Sequence, residues 1–268
     1  MSVGLPVSMG PLVANLVADH EIIAVLPRAW LAPGRSSTWT VELRSGAMES
    51  QAVGPVPAVW VDGCYQIQTP FVIGHVWPSD HAATLTLVSN SCYDVGLRRK
   101  TLSALRLCCL LWLADNNGVG LHGSSGIVEG KAVGFLGKSG MGKTTAVTRF
   151  MPPTILGDDF LAIRWVDGQY CVFGTPFSGR EGLPAEDRVA PLRTLAVIRP
   201  GKATEMAPLG QSDRIPTLVR HTFLVTDNPT VRRQTLQFLA NLAGHIPIYQ
   251  LQIALSESPW TLPELTHG

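Results

Sequence analysis

The chain has 268 residues, of which 46% are hydrophobic and 15% are charged, and this composition is sufficient for a packed core in one large or two small domains. Its 21 Lys and Arg residues nearly balance 20 Asp and Glu residues, which excludes a strong basic field for nucleic acid. The 5 cysteines form neither C-x-x-C pairs nor a His-spaced cluster, so we expect buried reduced thiols and neither a zinc site nor a disulfide scaffold.

The N-terminal part of the chain breaks into short β-prone runs that are separated by Pro, Gly, Ser and Asp, as in a meander of strands. The runs are EIIAVLP, STWTVELR, AVWVDGCYQIQ, FVIGHVW and AATLTLV. We therefore predict a β-rich N-terminal region over residues 1–95.

The hydrophobic period then changes, and leucines recur near helical spacing from about Gly96 to Asn116. The sequence Asn116-Asn117-Gly118 ends this predicted helix. The helix is apolar enough to be buried. We expect its basic residues to form a solvated face; they are Arg98, Arg99, Lys100 and Arg106.

After this helix, GVGLHGSSGIVEGKAVGFLG predicts a strand, a polar stretch with a turn at Glu129-Gly130, and a second strand that runs into a glycine-rich loop. A short helix is predicted from Lys143 to about Phe150, ended by Pro152-Pro153. Next, TILGDDFLAIRW is typical of one strand with two adjacent carboxylates, and VDGQ of a hairpin turn into YCVFGTPFSGR.

The last part of the chain predicts three more elements: a strand in PLRTLAVIRP, a helix from Thr230 to Ala243, and a final strand in IPIYQLQIAL. Helices and strands thus alternate over residues 96–268. We predict an α/β fold, in which a mixed sheet carries a phosphate-binding loop (P-loop) and the β-rich region precedes it. The domains expected are residues 1–95 and residues 96–268, the second including the linking helix.

The glycine-rich loop has the spacing G-x-x-x-x-G-K-T. Such a loop turns backbone N–H groups towards phosphates, and the helix N-terminus that follows adds partial positive charge. Lys143 would reach the terminal phosphates of ATP, and the Thr144 hydroxyl would ligate Mg²⁺. An apolar strand before the loop and a helix after it favour this interpretation over a plain glycine-rich turn. The residues expected to bind the nucleotide are Gly137, Lys138, Ser139, Gly140, Met141, Gly142, Lys143, Thr144 and Thr145.

Two adjacent carboxylates, Asp158 and Asp159, follow the loop on the next predicted strand. One could hold Mg²⁺ while the other accepts the proton of an attacking hydroxyl, although Asp-Asp alone is also typical of a solvated turn. His122 ends the strand before the loop, and neighbouring strand ends would bring it near the carboxylates. A lone His beside Gly is also often structural.

Three motifs in this order, LHGSSG, GFLGKSGMGKTT and ILGDDFLAI, resemble the HPr kinase/phosphorylase superfamily, whose catalytic domain is similar to the nucleotide-binding core of phosphoenolpyruvate carboxykinases. The resemblance covers about residues 118–180. It implies that Asp158 is the base towards the acceptor hydroxyl, that Asp159 helps to hold Mg²⁺, and that His122 assists them. It also makes Arg180, in GTPFSGR, a candidate for stabilising charge on the transferred phosphoryl group.

Weaker candidates for stabilising that charge are Arg188, Arg193 and Lys138. The longer signature that follows the Asp pair in HPr kinase/phosphorylases is missing, so the resemblance does not imply HPr as the substrate or the reverse reaction. In size and layout the chain is more similar to the compact lasso-peptide kinases, which phosphorylate a Ser hydroxyl of a precursor peptide. By analogy, the N-terminal region could then hold a peptide as an added strand.

We therefore predict an ATP- and Mg²⁺-dependent kinase with a peptide or small-protein acceptor. Three alternatives stay open: a nucleotide-dependent regulator with slow ATPase activity, a binding protein with a degenerate loop, and a small-molecule hydroxyl kinase. No charged segment precedes an apolar one at the N-terminus, and the longest apolar run is too short to span a membrane. We expect a cytoplasmic protein without a membrane partner. Family analogy suggests homo-oligomers, but no interface is readable.

Overall fold

The computed structural model describes residues 2–46, 56–89, 96–138, 140–150, 154–177, 183 and 185–254. Within these ranges the chain is a mixed α/β protein built mostly of β-sheet, as the sequence predicts. It divides into two compact units. The first contains residues 1–116 and 224–233, and the second contains residues 117–223 and 234–268.

The first unit contains a mixed sheet of seven strands among the described residues, in the order β1-β2-β3-β7-β6-β5-β4. Strand β3 pairs in parallel with β2 and β7, and the other pairs are antiparallel. Alternate side chains of β2 are buried, as expected of a strand with one face on a core. The elements are β1 (Ser2–Met9), β2 (Leu12–Asp19), α1 (His20–Ala24), β3 (Trp39–Gly46), β4 (Ala58–Val61), β5 (Cys64–Gln68), β6 (Val72–Trp77), β7 (Ala82–Val88) and α2 (Leu97–Asp115).

Helix α2 confirms the helix predicted from the leucine spacing, and it belongs to the first unit, whereas the sequence-based boundary at residue 96 assigns it to the second. One expectation about this helix is wrong. Lys100 is only 9% exposed, and its ammonium donates a hydrogen bond of 2.6 Å to the carbonyl of Val88. A Lys can be buried in this way because the carbonyl satisfies one of its donors.

The predicted strand in EIIAVLP is also wrong, because this run begins in helix α1. Ile22 and Leu26 are the buried residues here, whereas Ala24 between them is exposed, which a strand with one buried face would not show. Strands β1 and β2 were not among the runs predicted. The buried cysteines Cys108 and Cys109 carry free thiols, as expected, and burial raises the pKa of Cys108 to about 12.

The second unit contains nine paired strands among the described residues. The long strand β14 pairs along its first half with β13, and along its second half in parallel with β10 and β16. The elements are β8 (Gly118–Leu121), β9 (Gly123–Val128), β10 (Lys131–Leu136), α3 (Lys143–Phe150), β11 (Ile155–Asp158), β12 (Leu161–Val166), β13 (Gln169–Phe173), β14 (Val189–Pro200), β15 (Glu205–Pro208), α4 (Gln211–His221), α5 (Pro229–His245) and β16 (Ile248–Ile253). The start of α5, up to residue 233, falls in the first unit.

Both faces of this sheet are covered. Val133 and Phe135 of β10 pack in one core with Ala146 and Val147 of α3. The other face of β10 belongs to a second core, which includes Leu218 of α4 together with Leu239 and Leu242 of α5. Strand β10 is therefore almost continuously apolar, as a strand buried on both faces must be.

The structure refines the predictions for this half of the chain. The hairpin turn at Asp167-Gly168 is confirmed, with positive φ angles of 48° and 84°. The polar stretch before Glu129 is strand β9, and the single strand predicted in TILGDDFLAIRW is two strands, β11 and β12. Helix α4 and strand β15 were not predicted, and Pro152-Pro153 lies outside the described residues.

None of the helices in the described ranges has both the length and the apolar character that a bilayer crossing requires.

We predict that Gly174→Ala destabilises the fold. A Cβ at Gly174 would lie 1.8 Å from the carbonyl oxygen of Glu186, a backbone atom that cannot move aside cheaply. Overpacking of this kind costs about 1–3 kcal/mol. The control is Gly244→Ala, where a Cβ meets nothing within 4 Å and helix propensity improves. Urea unfolding followed by circular dichroism should show a lower midpoint for the first variant alone; equal midpoints would contradict the prediction.

Candidate functional site

The glycine-rich loop joins β10 to α3, as the sequence predicts. Gly140 and Gly142 adopt φ angles of 81° and 94°, which only glycine adopts readily. The N–H of Met141 donates to the carbonyl of Lys138 at 3.2 Å, and this contact closes the turn. Helix α3 begins at Lys143, so Thr144 and Thr145 lie in its first turn. Ser139 lies outside the described residues.

The ammonium of Lys143 is held by three acceptors. Its Nζ lies 2.9 Å from the carbonyl oxygen of Gly137, 3.1 Å from that of Lys138, and 3.2 Å from Nε2 of His122. An ammonium has three N–H donors, so these contacts use all of them. Lys143 is therefore fixed at the mouth of the loop and beside the predicted His.

Burial lowers the pKa of Lys143, whose side chain is 7% exposed, while the negative charges of Asp159 and Asp158 oppose this shift. The carboxylates are thus close enough to act on the charge of the loop lysine. An ammonium in this position would exchange neutral acceptors for phosphate oxygens with a gain in charge pairing.

The hydroxyl of Thr144 donates a hydrogen bond of 2.8 Å to Oδ1 of Asp158. Asp158 ends β11 and is 3% exposed. A neighbouring strand also anchors this helix start, because Ser124 of β9 donates to the carbonyl oxygen of Lys143 at 3.0 Å. Ser124 stands opposite Asp158 in the β9–β11 pairing. The sequence analysis gave Ser124 no role, although it lies within the quoted LHGSSG motif.

The site lies where two antiparallel strand pairs change partners. Strand β8 pairs with β12 up to Leu121 and Leu161, and β9 pairs with β11 from Ser124 and Asp158. The residues between these pairs, 122–123 on one side and 159–160 on the other, therefore face each other across the gap. The sequence analysis expected the His and the carboxylates at one sheet edge; the structure brings them together at this break.

His122 and Asp159 meet across that gap, with 3.1 Å between Nδ1 and Oδ1. Asp159 has a φ of 92°, an unusual left-handed value for a residue with a side chain. A carboxylate accepts only, so Nδ1 carries the proton, and Nε2 of a neutral imidazole can then accept from Lys143. Asp158 and Asp159 are adjacent in sequence but contact different partners.

His221, which the sequence analysis did not single out, lies beside this cluster. Thr222 forms an antiparallel bridge with Leu121, and the N–H of His122 donates to the carbonyl of His221 at 2.6 Å. His221 is 8% exposed. Burial, aided by electrostatic interactions with its basic neighbours His122, Lys143 and Arg220, lowers its pKa to about 4. His221 is therefore neutral at physiological pH.

Phe223 completes the support of His122. The two rings lie 5.9 Å apart in a T-shaped contact, and Phe223 also stacks on Phe160 at 5.6 Å. No sequence motif marks this segment. Pro216 within helix α4 obscured the helical pattern that leads into it.

The arginines that are candidates for stabilising phosphoryl charge do not share one location with Lys143 among the described residues. Arg180 lies outside the described residues. Arg188 is more than half exposed and forms an ion pair of 3.5 Å with Glu186. Arg193 forms an ion pair of 3.4 Å with Glu129, at the turn where β10 begins, whereas the P-loop follows the other end of that strand. The structure therefore does not bring Arg193 to the loop.

The residues present fit Mg²⁺ in the way that nucleotide sites usually hold it. The described residues contain no group of three or more His, Cys, Asp or Glu that could cage a metal. The Thr144 hydroxyl and the Asp158 carboxylate do offer two oxygen ligands 2.8 Å apart. Mg²⁺ commonly takes one or two protein oxygens and completes its octahedron with phosphates and water.

No protein-family model matches this chain, and no match to it is found among curated proteins. The resemblance to the HPr kinase/phosphorylase superfamily therefore stays a prediction that depends on the three motifs.

We predict that His221 makes stability depend on pH. Its folded pKa, about 4, lies below the ordinary value of 6.5, so between these values the unfolded chain binds more protons. Its contribution to the free energy of unfolding should be present above about pH 6.5 and fall as pH drops towards 4. Urea unfolding of the wild type and His221→Gln, measured from pH 4 to 8, should show that the wild type loses more stability on acidification. If the stabilities of the wild type and His221→Gln fell in parallel with pH, the pH dependence could not be assigned to His221.

Proposed function

We propose that the protein is an ATP- and Mg²⁺-dependent kinase that transfers the γ-phosphoryl group to a Ser hydroxyl of a peptide or small protein. We also propose that the protein acts in the cytoplasm, where ATP is supplied. The supporting observation is one hydrogen-bonded cluster in which Lys143 and Thr144 of the loop contact His122 and Asp158, and Asp159 contacts His122. A loop that only bound nucleotide would have no need of a second carboxylate paired with a His.

The contacts favour a division of labour opposite to the one that the resemblance implies. Asp158 contacts the Thr144 hydroxyl, so we place it on the metal side. Asp159 contacts His122, so we assign it as the base, oriented by the imidazole. Thr144 and Asp158 would hold Mg²⁺, which when bound would neutralise the negative charge of the phosphates.

In the proposed reaction the Ser oxygen forms a bond to the γ-phosphorus, and the bond from that phosphorus to the bridging oxygen breaks. ADP leaves with the bond's electron pair, and the Ser proton passes to the Asp159 carboxylate. Lys143 holds the phosphate oxygens in line. His122, by donating Nδ1–H, keeps the carboxylate oriented towards the acceptor.

A peptide acceptor is supported by the sheet of the first unit. Among the described residues, the outer edge of β1 makes one isolated bridge, between Val7 and Leu31, besides the contact of the Ala32 N–H with the Pro6 carbonyl. The earlier part of this edge, from Ser2, is available to pair with an extended segment. A small-molecule acceptor would need no such edge.

We predict that the two carboxylate variants fail in different ways. Asp159→Asn should lower the rate of ³²P transfer from ATP to a Ser-containing peptide library by about 10²–10⁴-fold at saturating Mg²⁺, because the base is lost. Asp158→Asn should instead raise the Mg²⁺ concentration that gives half-maximal rate.

The reverse pattern would restore Asp158 as the base and leave the kinase proposal standing. If the wild type turns over ATP at the same rate with and without every peptide, and labels none of them, the protein is a nucleotide-dependent regulator and the kinase proposal fails.

We predict that Lys143→Ala weakens binding of Mg-ATP by at least about tenfold, or about 1.4 kcal/mol, because the phosphates lose a buried cation. Isothermal titration calorimetry measures the change. The matched control is Lys131→Ala, at the start of β10, which is the end of the strand opposite the loop. Equal affinities for both variants would show that the nucleotide does not use this loop.

A further inference from the structure

A pocket of about 490 Å³ lies within the second unit, away from the Lys143 and Asp158 cluster. One wall is the β12–β13 hairpin, where Trp165 and Tyr170 stand opposite each other with ring centroids 4.7 Å apart. The other wall is one stripe of helix α5 between residues 234 and 245. Trp165 is six residues from Asp159 along the chain, so the extended rise of β12 puts it roughly 20 Å from the carboxylate.

The aromatic surface of the pocket is anchored to the protein core and is partly exposed to solvent. Tyr170 contacts Phe238 at 5.5 Å and is 6% exposed, so it anchors the wall to the core. Trp165 is 39% exposed. Its backbone N–H donates to the carbonyl of Asn117 at 3.0 Å, and this contact fixes the backbone at the pocket rim. The indole itself makes T-shaped contacts with the rings of Tyr170 and His245, at 4.7 Å and 6.3 Å, and its exposed part offers a flat apolar face to a ligand.

The side chains that line the pocket are mainly aromatic rings and uncharged amides. Among the described residues no Asp, Glu, Lys or Arg lines it; besides the aromatic residues it is lined by amides. Gln237 donates from Nε2 to Oδ1 of Asn241 at 3.1 Å, which leaves the Gln237 carbonyl as an acceptor and the Asn241 amino group as a donor. His245 lies 2.7 Å through Nδ1 from the Asn241 carbonyl, so Nδ1 carries the proton and Nε2 is an acceptor.

We propose that this pocket binds a neutral sugar. The C–H face of a sugar ring packs on the Trp165 indole by dispersion. The vicinal hydroxyls, each both donor and acceptor, match the adjacent donor and acceptor of Asn241 and Gln237. A phosphate or carboxylate ligand would find no Lys or Arg among the described lining residues. The volume lies within the usual range for small-molecule sites. This inference does not depend on the proposed kinase activity.

Saturation-transfer NMR on the full chain, without ATP, tests the proposal. The probes are cellobiose, lactose, maltose and N,N′-diacetylchitobiose, each at about 10 mM, with glucuronic acid and adenosine as charged and planar comparisons. We expect transfer to ring protons of at least one neutral sugar. Trp165→Ala should weaken its binding at least tenfold. Trp60→Ala is the matched control, because Trp60 is 38% exposed in the first unit, and it should bind as the wild type does.

Gln237→Ala provides a second variant that should leave folding intact, because this side chain is exposed on the helix. It should weaken sugar binding several-fold without changing thermal unfolding. Lys143→Ala should bind the sugar normally, which separates this site from the P-loop. The proposal is overturned if no neutral sugar receives saturation, if only adenosine or glucuronic acid does, or if the tryptophan variants bind alike.

Discussion

The candidate site depends on one feature of the sheet: the β8–β12 pair ends and the β9–β11 pair begins at the same point of both chain segments. An antiparallel pair normally keeps its register, so a break in one strand must be matched across the ladder. Here the break after β8 at His122 faces the break after β11 at Asp159. The side chains at such a break are not committed to either face of a sheet. Two polar, partly exposed side chains can therefore meet at this break without disrupting the apolar cores of the unit.

The same break explains why two adjacent carboxylates can have different chemistry. Asp158 still belongs to β11, and its side chain follows the strand towards Thr144. Asp159 adopts a φ of 92°, and its own side chain contacts His122. A left-handed backbone costs a residue with a side chain on the order of 1 kcal/mol or more, so the surrounding strands must enforce it. The backbone geometry separates the carboxylates, and their partners then differ.

Sequence patterns predicted the elements whose signal is local. The glycine-rich loop between β10 and α3, helix α2 and the Asp167-Gly168 turn each follow from spacing or turn chemistry within a few residues. The patterns failed where tertiary contacts determine the secondary structure. Strand β9 has a polar sequence, and its Ser124 binds the start of α3. Helix α4 contains Pro216, which is not typical of a helix interior. The pairing that places His221 beside His122 joins residues about a hundred positions apart, and no local rule could predict it.

The hydrogen bonds of Lys143 connect the loop to the rest of the cluster. Two of its acceptors are carbonyls of the loop itself, and the third is His122, which in turn donates to Asp159. A phosphate that takes this ammonium exchanges neutral acceptors for a charged one, which strengthens the bond. It also withdraws a donor from Nε2 of His122 and so changes the electrostatic environment of the imidazole next to Asp159. A phosphate bound to the loop would therefore act on the His122–Asp159 contact through the Lys143 side chain.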